Sequence, residues 1–136
     1  MRLLLGLRVA KHLAISEVAR VFGLRTSAIR YYEQIGILPQ PLRRNGQRCY
    51  DNGVLFRLAV VQRTREMGFT LDEIRELFFG FEPGTAPPNR WHQLSKRKIA
   101  ELRNRMKRLK VMETLLKRME KCHCAVLEEC GEKLLQ

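Results

Sequence analysis

The sequence has few acidic and aromatic residues, and it has no long apolar run. Aromatic residues make up 7% of its 136 positions, and 14 acidic residues face 26 basic ones, for a formal net charge of +12. No apolar segment approaches the roughly 20 residues needed to cross a bilayer, so no membrane-spanning segment is expected. On charge alone, the basic excess favours any polyanion, whether nucleic acid, an anionic membrane surface or an acidic protein. The motifs below favour nucleic acid, and no membrane partner is expected.

The patterns of common enzyme classes are missing as well. The chain has no phosphate-binding loop, no Ser/His/Asp arrangement and no paired-carboxylate pattern, so we expect no enzyme. The apolar opening RLLLGLRVA is interrupted by Gly6 and Arg8 and is followed by Lys11, which is not typical of a signal peptide. A cytoplasmic protein is expected, and cysteines there favour metal or redox chemistry over structural disulfides.

Two short helical patterns are joined by a turn at Gly23. Ser16 is expected to cap the first helix, which Gly23 ends. Thr26 or Ser27 is expected to cap the second helix, which runs to about Ile35. This arrangement predicts a helix-turn-helix, whose second helix usually enters the major groove of DNA.

A basic hairpin is predicted directly after these helices. Asn45 and Gly46 form the strongest two-residue turn signal, and they separate two extended runs, residues 42–44 and 47–50. A hairpin in this place is a wing. Asp51 is expected to cap a third helix to about residue 67.

The predicted DNA-binding unit ends with a fourth helix and is followed by a long one. Thr70 and Glu73 form a capping box for a helix over residues 71–79. From Trp91 to Glu120 the chain has neither Gly nor Pro, and its apolar residues recur at helical steps. These residues are Leu102, Met106, Leu109, Met112, Leu116 and Met119.

Such a narrow apolar seam predicts a coiled coil, and pairing with a second copy is favoured over folding back within one chain. The many charged residues of the long helix are typical of a solvent-exposed face. The alternative is that they attract bent DNA or an acidic partner. The predicted fold is mainly α, and its segments are an N-terminal extension (1–14), a winged helix-turn-helix DNA-binding domain (15–80), a linker (81–90), a coiled-coil dimerisation helix (91–121) and a cysteine-containing effector tail (122–136).

The candidate DNA contacts lie on the second helix and in the wing. Hydroxyls and arginines at the start of a recognition helix read base edges, whereas wing arginines pair with phosphates. Tyr32 also has the spacing of a core residue. The candidates are Thr26, Ser27, Arg30, Tyr31, Tyr32, Arg43, Arg44 and Arg48.

The tail carries a cluster of potential metal ligands. Cys122, Cys124 and Cys130 fall within nine positions, with His123 between the first two. Thiolates bind soft or borderline ions such as copper(I) and zinc, and also iron–sulfur clusters. A redox disulfide and inert apolar cysteines are the alternatives. Cys49 is isolated in the wing and is interpreted as structural or incidental.

The order of these motifs resembles the MerR family of bacterial transcription regulators. The resemblance runs from about Ile15 to Cys130 through R-Y-Y-E, G-I-L-P, the R-x-N-G-x-R-x-Y wing and G-F-T-L-x-E-I. It implies a homodimer joined by an antiparallel coiled coil that bends and twists promoter DNA, so that RNA polymerase engages the promoter through the DNA. It also implies that the protein is located in the bacterial cytoplasm and is associated with the nucleoid.

The tail is similar to two kinds of sensor in that family. The cysteine spacing fits SoxR-like redox sensors with a [2Fe–2S] cluster, except that Met119 stands where their first cysteine falls. Cys122 and Cys130 also fit the spacing of copper and zinc sensors, although the divalent-ion sensors have a further cysteine near the position of Trp91. The expected function is a DNA-binding transcription regulator with a metal or redox sensor. The alternatives are a thiol-based metal-handling or disulfide-exchange protein and an architectural DNA-binding protein that needs no effector.

Overall fold

The structure is a computed structural model that describes residues 12–136, and its elements follow the local capping and turn signals. The elements are β1 (Leu13–Ala14), α1 (Ile15–Phe22), α2 (Thr26–Gln34), β2 (Leu42–Arg44), β3 (Gln47–Tyr50), α3 (Asn52–Glu66), α4 (Leu71–Phe79), α5 (Pro87–Glu120) and α6 (Leu127–Leu135). The absence of a signal peptide was predicted from residues that lie outside the described range. No described helix is both long and apolar enough to cross a membrane.

The helix-turn-helix is confirmed, but its predicted caps shift by one or two residues. Ala14 is the N-cap of α1, so Ser16 lies inside the first turn, and Glu17 Oε2 accepts the Ala14 N–H at 2.8 Å. Arg25 is the N-cap of α2 with no side-chain cap, so the prediction of Thr26 or Ser27 as the cap is wrong.

The backbone has positive φ at both places where the sequence predicts a tight turn, the end of α1 and the hairpin. Gly23 has φ 63° and ends α1 as predicted. Asn45 and Gly46 both have positive φ, 50° and 77°, which is the backbone of a type I′ turn and suits the twist of two antiparallel strands. The hairpin β2–β3 therefore forms over the predicted residues.

A third strand joins the hairpin, and the sequence did not predict it. β1 pairs antiparallel with β3 in the order β1-β3-β2, with Leu13 opposite Tyr50 and Ala14 opposite Cys49. These residues fall in the predicted N-terminal extension. The wing is thus held to the start of α1 by backbone hydrogen bonds rather than by its turn alone.

The core of the N-terminal unit lies between the helix-turn-helix, β3 and α3. Val18, Ile29 and Leu58 are fully buried there, and Tyr50 is 1% exposed. Asp51 caps α3 by accepting the Val54 N–H, and Thr70 and Glu73 form the capping box of α4, as predicted. Residues of α2 and of the wing strand β3 thus share one buried core.

The chain divides into two compact units, one ending at Trp91 and one running from His92 to Gln136. The long helix α5 begins at Pro87 rather than at Trp91. Proline is tolerated in the first turn of a helix, because the N–H that it lacks would have no helical partner there. The predicted linker is therefore shorter. Met106, Leu109 and Leu116 of the seam are each more than 60% exposed in the single chain.

Candidate nucleic-acid interface and thiolate cluster

The second helix separates its inward and outward residues as its periodicity predicts. Ile29 is fully buried, whereas Arg30 and Tyr31 are exposed. Tyr32 is half-buried and packs against the core. Of the two hydroxyls in the first turn, Ser27 is exposed and Thr26 is half-buried. The exposed face of α2 thus presents an arginine, a tyrosine and a serine.

The wing arginines are distributed over both strands of the hairpin. Arg43 and Arg44 are exposed on β2, and Arg43 Nη1 donates to the Gly46 carbonyl at 3.0 Å. Arg48 lies opposite Arg43 on β3 and is half-buried. The hairpin brings these cations together on a short ribbon.

A buried acid that the sequence analysis missed links α2 to the wing. Glu33 is 5% exposed and accepts hydrogen bonds from the Tyr50 hydroxyl and from Arg48 Nε. Burial and the neighbouring Glu33 carboxylate raise the pKa of Tyr50 well above its ordinary value. The available signal was spacing, since Glu33 follows the core residue Ile29 by four positions and so lies on the same helix face.

A recess of about 330 Å³ opens beside this network. Arg30 and Arg48 line it together with Ser16, Gly46 and three other residues of β1, α1 and the wing. Two guanidinium groups at one concave site give a positive potential that suits a phosphate.

The sulfur atoms of the three tail cysteines lie close together. Cys122 Sγ lies 2.8 Å from Cys124 Sγ and 3.5 Å from Cys130 Sγ, and the three sulfurs all lie within 4.8 Å of one another. The helix α6, which the sequence analysis did not predict, returns Cys130 to the pair. His123 is exposed and is not brought into this group.

Contacts within the cluster shift the pKa values of Cys122 and Cys130 in opposite directions. Hydrogen bonds from the Cys124 side chain and backbone lower the pKa of Cys122. Side-chain hydrogen bonds with Cys122 and Cys124 raise the pKa of Cys130 to about 11, because they favour its protonated form. Cys122 is therefore more readily converted to the thiolate than Cys130, and thiolates are the form that binds metal.

Cys49 is not a member of the group that the three tail cysteines form. It is half-buried on β3 and lines a separate recess of about 470 Å³ with Pro39, Pro41 and Arg57 among others. No other group of three His, Cys, Asp or Glu side chains within residues 12–136 brings its ligand atoms together in the way that the tail cysteines do.

Comparison with known proteins covers almost the whole described chain. The family model "MerR HTH family regulatory protein" matches residues 13–79, and the model "MerR, DNA binding" matches residues 55–119. The chain is 30% identical to the mercuric resistance operon regulatory protein of Bacillus cereus, over 88% of this chain and 97% of that protein. It is 36% identical to the transcriptional regulator CueR of Salmonella typhi, over 79% of this chain and 80% of that protein.

A solved structure is similar over most of the fold. The transcription regulator PbrR691 from Ralstonia metallidurans CH34, in complex with lead(II), superimposes with a TM-score of 0.70 at 32% identity. The match covers 84% of this chain and 90% of that one. These relatives are all regulators or regulatory proteins by name.

Proposed function

Because the chain belongs to the MerR family of DNA-binding transcription regulators, we propose that it senses a soft metal ion through Cys122, Cys124 and Cys130. The observation that carries this proposal is the convergence of the three sulfurs within 4.8 Å. Thiolates select soft ions. Binding would replace the thiol protons and fix the short tail, which couples the ion to the conformation of α6.

The number of ligands favours some ions over others. Iron–sulfur clusters of the [2Fe–2S] type need four protein ligands, and structural zinc sites are usually closed by four. The tail offers three sulfurs, with Met119 at the position where a fourth cysteine would be expected. A soft ion that accepts two or three thiolates, such as copper(I), mercury(II) or lead(II), fits this set better. The relatives named for mercuric resistance and lead(II) support the same class.

The DNA-binding surface comprises the exposed face of α2 and the wing. We infer that α2 enters the major groove with Thr26, Ser27, Arg30 and Tyr31 near the DNA, while Tyr32 contributes only its hydroxyl because its ring packs in the core. Arg43, Arg44 and Arg48 pair with backbone phosphates.

Regulation follows from two such surfaces in one homodimer. The exposed apolar seam of α5 needs a partner, and a second copy of the chain supplies it. Two recognition helices at a fixed separation bend or twist the promoter when the sensor changes state, and sequence-dependent deformability contributes to specificity. RNA polymerase then responds to the shape of the promoter rather than to a direct contact.

Anaerobic metal titration tests the sensor. The reduced protein is titrated with copper(I), mercury(II), lead(II) and zinc(II) in the presence of a competing chelator, and thiolate-to-metal absorbance is recorded. We expect one soft ion per thiol triad, and Cys124→Ser to lose it. Equal retention of the soft ions by Cys124→Ser, or a visible iron–sulfur spectrum in the purified protein, would contradict the proposal.

Salt dependence tests the wing. Arg44→Ala should weaken duplex binding and reduce the slope of log K against log salt by about one, because one counterion fewer is released. Arg63→Ala is the matched control, since Arg63 is exposed on α3 and is paired with Glu66. An unchanged slope for Arg44→Ala, or equal changes for both variants, would count against the wing assignment.

A second candidate is a thiol–disulfide sensor on the same cysteines. The lowered pKa of Cys122 favours it, because a thiolate is the attacking species in disulfide exchange. Mild oxidation of the metal-free protein followed by mass mapping distinguishes the two. A disulfide between Cys122 and a tail cysteine that changes transcription without metal selects the redox sensor.

A further inference from the structure

The buried carboxylate of Glu33 is held by two donors from the wing. Its side chain is 4% exposed, and its Oε2 accepts from Arg48 Nε at 3.3 Å. Its Oε1 accepts from the hydroxyl of Tyr50. An ionised carboxylate buried without hydrogen bonds is strongly unfavourable, so these two contacts determine where the carboxylate lies.

Tyr50 acts in this network as a permanent donor. Its side chain is 1% exposed at the end of β3. Burial and the Glu33 carboxylate raise its pKa well above the ordinary value, so the hydroxyl keeps its proton at any physiological pH. Tyr50 donates to Oε1 of Glu33, and the arginine meets the other oxygen, Oε2, through Nε.

This contact leaves the outer end of Arg48 free to bind a ligand. A guanidinium has five N–H donors in one plane, and the Nε–H directed to Glu33 uses one of them. The Arg48 side chain is 30% exposed. It lines the recess of about 330 Å³ that Arg30 and Ser16 also line. The planar group is thus held at its inner edge and open at its outer edge.

We propose that Glu33 is a positioning residue for DNA binding, which aims the guanidinium of Arg48 at a backbone phosphate seated in this recess. The inference rests on the proposed DNA-binding surface and deepens it. Because Glu33 lies on the same helix as Arg30 and Tyr31, the contact also ties the groove-reading helix to the wing. A free arginine side chain would lose rotamer entropy on binding, and prior positioning removes much of that cost.

Removing the Glu33 charge has two opposite effects on the affinity for DNA. The negative charge of Glu33 repels a phosphate, so neutralising Glu33 by itself would tighten binding. Loss of positioning weakens binding by about tenfold, the size of one charge-assisted hydrogen bond. A net weakening therefore cannot come from the change in charge.

The test is a double-mutant cycle on duplex binding. Glu33→Gln is compared with the unchanged protein, and both are repeated in an Arg48→Ala background, with a random-sequence duplex of about 30 base pairs at low salt as the probe. We expect Glu33→Gln to weaken binding several-fold in the first pair and not in the second. In an Arg44→Ala background, the matched control, the loss should remain.

Three results would overturn the proposal: unchanged binding by Glu33→Gln, tighter binding, or an equal loss in the Arg48→Ala background. The last would indicate a general structural effect. If Glu33→Gln does not fold, Arg48→Lys replaces it, because lysine keeps the charge but cannot bridge a carboxylate and a phosphate in one plane. Weaker binding by Arg48→Lys supports the proposal and equal binding overturns it. Failure of the unchanged protein to bind any duplex would instead refute the proposed function.

Discussion

Cys122 Sγ lies 3.5 Å from Cys130 Sγ, although eight residues separate them along the chain. The loop after α5 and the first turn of α6 reverse the chain between them, so that both thiols face Cys124. This brings the three sulfur ligands within 4.8 Å of one another.

Cys130→Ser is expected to lower the affinity for a soft ion by at least about tenfold, the range seen when supporting or direct ligand contacts are lost. A serine hydroxyl is a hard donor and is not a substitute for a thiolate. The measurement is the anaerobic competition titration with copper(I) or mercury(II).

Cys49→Ser is the matched control for that variant. It makes the same change at a thiol that lies on β3, outside the tail group. Its metal stoichiometry should equal that of the unchanged protein. If both variants lost the ion equally, Cys49 would belong to the site and the tail triad would be the wrong ligand set.

Tyr50→Phe is expected to destabilise the fold by about 1–3 kcal/mol, because the buried Glu33 carboxylate loses a hydrogen-bond donor. Chemical denaturation at neutral pH measures this. Tyr31→Phe is the control, since an exposed hydroxyl should change stability by no more than about 0.5 kcal/mol. Equal effects of the two substitutions would show that the buried contact contributes nothing.

The same tyrosine predicts a pH dependence with a definite sign. The pKa of Tyr50 is raised in the folded protein, whereas an unfolded tyrosine ionises near pH 10, so the unfolded state releases its proton first. The stability that Tyr50 contributes is thus complete below about pH 10 and falls as the pH rises above it. Denaturation midpoints between neutral pH and alkaline pH should fall more steeply for the unchanged protein than for Tyr50→Phe.

Leu109→Glu is expected to convert a dimer into a monomer. Leu109 is 63% exposed in the single chain and lies in the apolar seam of α5, where a charge would be buried against a second copy. Sedimentation equilibrium measures the change. Asn104→Glu places the same charge on an exposed residue away from the seam, and this variant should stay dimeric. A dimeric Leu109→Glu protein would rule out the seam as the interface.

Gly46→Ala is expected to cost about 1 kcal/mol, because φ 77° strains any residue with a Cβ even where space is open. Gly131→Ala should have the opposite sign. Its added Cβ meets no atom within 4 Å in α6, and alanine favours a helix over glycine by up to about 1 kcal/mol. Thermal denaturation of both variants checks the pair, and a stabilising Gly46→Ala would contradict the turn geometry.

Short-range signals in the sequence were sufficient to predict most of the elements. Asp51, Thr70 and Gly23 act on backbone groups within a few residues of themselves, so their caps and stops could be predicted without knowing the fold. The Asn45-Gly46 turn is of the same kind. The N-caps Ala14 and Arg25 make no side-chain cap hydrogen bond of their own, so the cap position carries no signal in the sequence, and there the predicted helix starts were wrong.

By itself the sequence determined the helix-turn-helix, the hairpin, the apolar seam and the spacing of the cysteines, because each depends on residues that are close in the chain. Tertiary structure alone decided that β1 pairs with β3, that Glu33 meets Arg48 and Tyr50, and that α6 returns Cys130 to Cys122 while His123 stays outside. Those contacts join residues as far as 37 positions apart, as between Leu13 and Tyr50. Their free energy depends on burial and hydrogen bonding that exist only once the chain has packed.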